Sequence, residues 1–367
     1  MTKLKVNLNM LDAFSTAELN AAEGVGFARL YADSWLGPLP ESATGTAGSQ
    51  MWSTAIAQMG KAREKITANL DRLNEVAAGS AREIGRTAAA YRGMDLRHAQ
   101  DIDDKHVGEE LPDTSPHEGF WVGTSPLLRL KEPTADPAIP ESISAALDLT
   151  SWLSLSHWVN KGIEVICGVN PAEYLAEKIG GDWEAFAKAG SAVNNLADYY
   201  GDYADNIEAD RDVLFSPADG HAPWEGHAAN GANAYYTKLV QSVKGEAAPL
   251  RDFASQMKVV ADGVAQMTDA LKSGLEDLMD YLITAGVALA AAGVSWETGV
   301  GPLIGGLAAG WEIYQAFKAW AKVVDAVDKA ITVANTFAGA VFGLLGALDG
   351  MQDCPLPSGV YDSEVPG

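Results

Sequence analysis

Apolar residues recur at steps of three and four along most of the chain, and the breaks in that rhythm divide it into segments. Between residues 9 and 36, Leu11, Phe14, Leu19, Ala22, Val25 and Leu30 mark a first helical stripe. The glycines and prolines of GPLPESATGTAG, residues 37–48, end it. A longer stripe follows through Ile56, Met59, Ile66, Leu70, Leu73, Ala77, Ile84, Ala88 and Tyr91. At about 1.5 Å per residue it predicts a rod on the order of 60 Å long. One such hairpin buries too little by itself, so its apolar stripe requires a partner surface.

Residues 99–143 lose the rhythm. They carry ten acids against three bases and prolines at 112, 116, 126, 133, 137 and 140, so they are expected to form a linker or an irregular lobe that neither continues a helix nor buries a core. Helical patterning resumes near Ser142. Asn170-Pro171-Ala172-Glu173 has the form of a helix start, with a capping side chain, a proline in the first turn and a Glu to return a hydrogen bond. The helix predicted from it runs through Trp183, Phe186, Ala189, Val193, Leu196 and Tyr200 toward Phe215. The turn SPADGHAP and Trp224-Glu225-Gly226 come next, at a bend where a large aromatic is expected to be exposed. Residues 228 to about 279 predict another helix, with Leu239, Val243, Leu250, Phe253, Met257, Val260, Val264, Met267 and Leu271 near its buried face.

After Asp280 the chain becomes apolar. YLITAGVALAAAGVSW holds sixteen uncharged residues, and AITVANTFAGAVFGLLGAL, after Lys329, holds nineteen, close to the roughly 20 needed to cross a bilayer. Between them lies an amphipathic stretch with Trp311, Tyr314, Phe317, Trp320 and Val324 on one face, of which Trp311, Phe317 and Trp320 are candidate membrane contacts. Three readings stand open: apolar helices that bury one another, a hairpin stored in soluble form that inserts into lipid, and a permanent anchor. The acidic remainder and the polar, proline-containing tail argue against the anchor.

No alternating β pattern of useful length occurs, so the expected fold is all-α. It is an elongated helical bundle of two fused helical hairpins with an apolar C-terminal helical subdomain. The corresponding segments are 1–98, the linker 99–143, 144–279, 280–350 and a tail, 351–367.

Composition narrows the function more than the fold. The 367 residues are 47% hydrophobic, enough for a substantial core. A net charge of −23, with no basic cluster, excludes nucleic acid as a partner. Cys167 and Cys354 match neither a zinc nor a CxxC spacing and read as two thiols or as one disulfide. The opening MTKLKVNLNMLDAFSTAEL lacks the apolar run and cleavage site of a general secretory signal, so export would need another route. The histidines at 97, 106, 117, 157, 221 and 227 form no ligand cluster, although His221 and His227 flank Trp224. Gly299, Gly301, Gly305 and Gly306 lack the Lys-Ser/Thr of a phosphate loop. No nucleophile and base share a recognisable context. The expectation is therefore no catalysis, no metal and no cofactor.

Two short patterns remain. In AAAYRGMDLRHA, Tyr91 and Asp95 are four apart, which puts a ring and a carboxylate on one helix face. In HAPWEGHAANGANAYY, Trp224 and Gly226 form a W-x-G at the bend between two long helical segments. Each is common alone. The combination of a long hairpin ending in Y-x-x-x-D, a linker and an all-α unit with W-x-G at its bend resembles substrates of the actinobacterial type VII (ESX) secretion system. It is most similar to the EspB-type chains, in which a PE-like hairpin is fused to a PPE-like or WXG-type unit. Residues 5–98 also resemble the small EspC-type proteins through VNLNML and AAAYRGMD. Residues 180–275 match less closely, and 99–143 and 280–367 lie outside the resemblance.

What the resemblance implies is an elongated bundle in which the hairpins pack side by side. Trp224 and Gly226 would form the turn half of a composite export signal, and Tyr91 and Asp95 the tail half. The implied reader is the ESX membrane ATPase, to which an aromatic anchor and one oriented carboxylate can be specific without being large. The implied location is secreted or cell-surface. Two departures count: the chain lacks the Pro-Glu or Pro-Pro-Glu start of those families, and Trp35-Leu36-Gly37 supplies an alternative W-x-G. Two other functions stay open, a membrane-active, pore-forming or lipid-inserting effector acting through residues 281–348, and a structural oligomer. Further partners left open are an EspC-like or WXG protein, copies of the chain itself, and a lipid membrane.

Overall fold

Helix α1 (Leu8–Leu36) begins where Asn7, in extended conformation, turns its side chain forward so that Oδ1 accepts the Met10 N–H at 3.2 Å. The computed structural model describes residues 5–37, 39, 49–103, 120, 125–148, 157–216, 222–291 and 309–354. Leu11, Phe14, Ala22 and Val25 of the expected stripe are buried, whereas Leu19 and Leu30 are exposed. The rest of the buried face is built from Ala21, Ala28 and Ala32. Small residues let α2 (Gln50–Asp103) approach closely, as Ser15 shows by donating from Oγ to the Ala81 carbonyl at 2.8 Å. At about 1.5 Å per residue, the 54 residues of α2 span roughly 80 Å. Its expected stripe from Met59 to Tyr91 is buried, and the helix runs past residue 98 to Asp103.

Residues 125–141, expected to stay outside the core, instead strap α1 to a later helix. A single 3-10 turn at Pro126–Arg129 and the extended chain after it bury Pro126 and Ile139. The Lys131 carbonyl accepts from Tyr31 Oη at 2.8 Å and from Asn195 Nδ2 at 3.2 Å, and Arg129 pairs with Asp202 at 2.6 Å. Proline is compatible with this conformation because it needs no helical N–H donor.

Among the described residues three short helices follow: α3 (Ile143–Ala146), α4 (His157–Cys167) and α5 (Pro171–Ile179). Asn170 caps α5 as expected, accepting the Ala172 N–H at 2.9 Å. The helix does not continue into Trp183, however. Gly180 and Gly181 interrupt it, and Asp182 caps a new helix, α6 (Trp183–Phe215), by accepting from Ala185 N at 2.9 Å. The glycine at 181 has a packing cause: a Cβ there would lie 2.4 Å from the Trp52 ring.

The chain then forms a two-residue strand, β2 (Trp224–Glu225), antiparallel to β1 (Lys5–Val6), the sole strand pair among the described residues. Helix α7 (His227–Ala291) runs unbroken past Met279, so YLITAGVALAA extends it rather than opening a separate helix. Helix α8 (Ala309–Ala347) returns along α7, with Val323 against Gly274, Val333 against Gly263, and Lys322 3.6 Å from Asp277. The row Trp311, Tyr314, Phe317, Trp320 does not share one environment. Each step of three falls about 60° short of a full turn, so the row drifts from solvent into the contact. Trp311, Tyr314 and Phe317 are exposed, and Trp320 is buried with its ring 5.5 Å from Tyr174; Val323 replaces Val324 on the buried face.

Residues 348–354 fold back onto α2 and α7, burying Leu348, Met351 and Cys354. Asn69 Nδ2 donates to the Leu348 carbonyl at 2.6 Å and to Glu246 at 2.7 Å, while the Met351 N–H donates to Glu246 at 2.9 Å. Arg72 donates to the Cys354 carbonyl at 2.7 Å, and Lys65 pairs with Asp349. Cys167 and Cys354 are free thiols. All-α architecture is thus the structure's answer, and one continuous buried cluster joins the first hairpin to the helices after it.

Candidate recognition site at the W-E-G turn

The chain reaches Trp224 from the end of α6 and leaves it through Gly226, whose φ of 135° is a backbone conformation that only glycine adopts freely. The Gly226 carbonyl accepts the Asn230 N–H at 3.0 Å and so starts α7. Glu225 Oε1 accepts from the Ala222 N–H at 3.2 Å and closes the turn on its other side. The turn is held against β1 with Lys5 opposite Glu225 and Val6 opposite Trp224, and the Asn7 N–H donates to the Pro223 carbonyl at 2.8 Å.

That geometry aims the indole inward. Trp224 is 2% exposed, contrary to the exposure expected for a large aromatic at a bend. Its ring lies 6.5 Å from Tyr91 at an interplanar angle of 78°, and 5.7 Å from Phe215. Phe14 extends the cluster, 6.5 Å from Phe215, 5.0 Å from Tyr236 and 5.5 Å from Phe120. Edge-on contacts of this kind each add about 0.5–1.5 kcal/mol beyond area burial. The indole Nε1 is buried and has no acceptor among the described residues.

Tyr91 and Trp224 are therefore brought together, and Gly226 lies two residues beyond. Asp95 follows Tyr91 by one turn of α2; its side chain, like that of His227, lies outside the described residues, as do His221 and the glycines from 299 to 306. Arg92 pairs with Asp12, which ties this end of α2 to α1. Trp35 is half-buried and lies with Gly37 at the other end of α1. Counting along α1 from Phe14, that is roughly 30 Å from the Tyr91 and Trp224 cluster.

Beneath the aromatic cluster sits a buried carboxyl group that sequence reading missed. Glu18, one turn after Phe14, is 1% exposed, and Asp210 on α6 is buried with it. Burial first, and the Asp210 carboxylate second, push the Glu18 carboxyl up to about 8. Tyr203, also buried, is raised well above the ordinary tyrosine range by burial and by Glu18. Phe14 was legible as a core position, but its partners Phe120, Phe215 and Tyr236 and the strand at 5–6 carried no periodic signal of a site. Among the described residues no group of three His, Cys, Asp or Glu could hold a metal ion.

No family model and no curated protein matches the sequence. Among solved structures, the chain is similar to one described as the crystal structure of EspB from the ESX-1 type VII secretion system. Identity is 13%, the alignment covers 92% of this chain and 93% of that one, and the TM-score is 0.43.

Proposed function

We propose that the chain is a substrate of a type VII secretion system, carried out of the cell by a composite signal of Trp224 and Gly226 with Tyr91 and Asp95. The observation that supports it is the apposition of Tyr91 and Trp224. Two patterns that mean little separately, one on α2 and the other at the turn before α7, meet ring to ring. The distance of Trp35 and Gly37 from Tyr91 favours Trp224 as the turn half. On this reading the partner is the membrane ATPase of the exporter, the destination is the cell surface or beyond, and the chain acts by being recognised rather than by catalysis. Because both halves lie in one chain, a separate EspC-like or WXG partner is not required. The test is secretion of wild type, Tyr91→Ala and Trp224→Ala, with Trp35→Ala as the comparison, in a host with and without a working ATPase. Export lost in the first two variants and in the ATPase-deficient host supports the reading; undiminished export of both variants overturns it.

A second reading has its own observation. Helix α8 is long and apolar enough to cross a membrane by length and composition, and only 22% of its most apolar stretch is buried. Trp311 is 65% exposed and Phe342 80%. A helix of this kind fits a lipid-contacting role for residues 281–348. Trp311→Lys with Phe317→Lys, both on the solvent side, is expected to leave thermal stability unchanged and to abolish dye release from anionic liposomes. Release equal to wild type removes the reading.

A further inference from the structure

We propose that β1 is a removable cover over the W-E-G turn, and that the partner reading the turn displaces it and pairs with Trp224–Glu225 in its place. The proposal rests on the export reading for the identity of the partner, though not for the existence of the cover. Three observations carry it. Trp224 is 2% exposed and Tyr91 9%, so neither ring can anchor a partner while the site is closed. The buried indole N–H has no acceptor among the described residues, and a partner supplying a carbonyl would offer it one. And of the elements around the indole, β1 is held least: two residues of strand and the Asn7 N–H to the Pro223 carbonyl, against long helices packed along continuous apolar faces. A two-residue ribbon with no third strand among the described residues is marginal in water, which makes it the first part of this wall to open. Asn7 marks the hinge, since it caps α1 through its own side chain and α1 is anchored independently by Leu11 and Phe14.

The chemistry the open site would take is specific. Removing β1 frees the backbone edge of residues 224–225 beside the aromatic cluster, the arrangement in which an extended protein segment adds as a strand and places a side chain near the ring. The partner is thus a protein presenting an exposed strand edge.

The test uses the full chain in a Cys167→Ser, Cys354→Ala background with the soluble part of a type VII ATPase as probe. Lys5→Cys with Glu225→Cys, a cross-strand pair, closes the cover when oxidised; deletion of residues 2–6 removes it. The deletion is expected to tighten binding at least tenfold, and the oxidised pair to weaken it at least tenfold, with reductant restoring wild-type affinity. Hydrogen exchange without any partner is expected to show amides 224–226 exchanging faster than the core of α1, and faster again in the deletion. An oxidised pair that binds like wild type, a deletion that weakens binding, or exchange at 224–226 as slow as in the helix cores overturns the cover. Trp224→Ala that binds like wild type overturns the export reading instead, and leaves the exchange result to decide the cover.

Discussion

Two glycine environments show how much a single methyl group decides. A Cβ at Gly181 would enter the ring of Trp52, itself 5.2 Å from Trp183, whereas a Cβ at Gly26 or Gly60 meets nothing within 4 Å. Gly181→Ala is therefore expected to cost about 1–3 kcal/mol through overpacking. Gly26→Ala and Gly60→Ala are expected to stabilise by up to about 1 kcal/mol, because alanine is the better helix former and nothing has to move. Denaturant midpoints of the three variants check both signs. Glu18 supplies the pH dependence. Its carboxyl ordinarily titrates at 4.5 and in the fold at about 8, so between those values the folded chain holds a proton that the unfolded chain has lost. Stability is full below 4.5, falls as pH rises, and reaches its floor once pH passes about 8. Glu246, raised to about 7 chiefly by burial, adds to the same slope. Glu18→Gln should flatten the decline of melting temperature between pH 5 and pH 8; an unchanged slope would mean that the carboxyl is not buried in solution.

At the scale of elements, the fold-back after α8 concentrates its dependence on one side chain. Asn69 donates to both the Leu348 carbonyl and the Glu246 carboxylate, and its Oδ1 accepts from Gln352 at 2.9 Å. Asn69→Ala removes the donor that serves the buried Leu348 carbonyl and Glu246 Oε2 together, and is expected to cost about 2–4 kcal/mol. Hydrogen exchange should accelerate in residues 348–354 and the C-terminal half of α8 before it changes in α1; uniform acceleration would show that the fold-back does not open by itself. How much of this was legible follows from side-chain contrast. The stripe of α2 was readable from Met59 to Tyr91 because large apolar residues alternate with charged ones. In α1 the contact is made by Ala21, Ala28 and Ala32, so Leu19 and Leu30 drew attention to the wrong side. The glycine at 181 answers a ring from another helix, and the pairing of β1 with β2 answers a long-range approach, neither of which periodicity can encode. Tyr91 and Trp224 were legible as motifs; the burial of the indole and of the Glu18 carboxyl beneath it was not.

Across the whole molecule, the first hairpin is joined to the remainder at several points along its length. Phe14 and Tyr91 meet Phe215, Trp224 and Tyr236 at one end, Trp52 meets Trp183 and Phe186 at the other, and Tyr31 and Asn69 reach Asn195 and Glu246 in between. The segment boundaries proposed from sequence, at 98 and 143, therefore describe a division of the chain whose parts each present an apolar face to the other. Residues 1–119 and 120–367, produced together as separate chains, are expected to copurify at one to one and to recover helical content close to the intact protein. Covalent linkage contributes effective concentration, not the contacts themselves. Trp52→Glu in the first fragment should abolish the association, because it places a charge at a buried aromatic contact and leaves it unpaired. Gel filtration and circular dichroism of the mixed and separate fragments read the result. Two fragments that each fold independently and ignore one another would show that the joining contacts form only after the linked halves are already built.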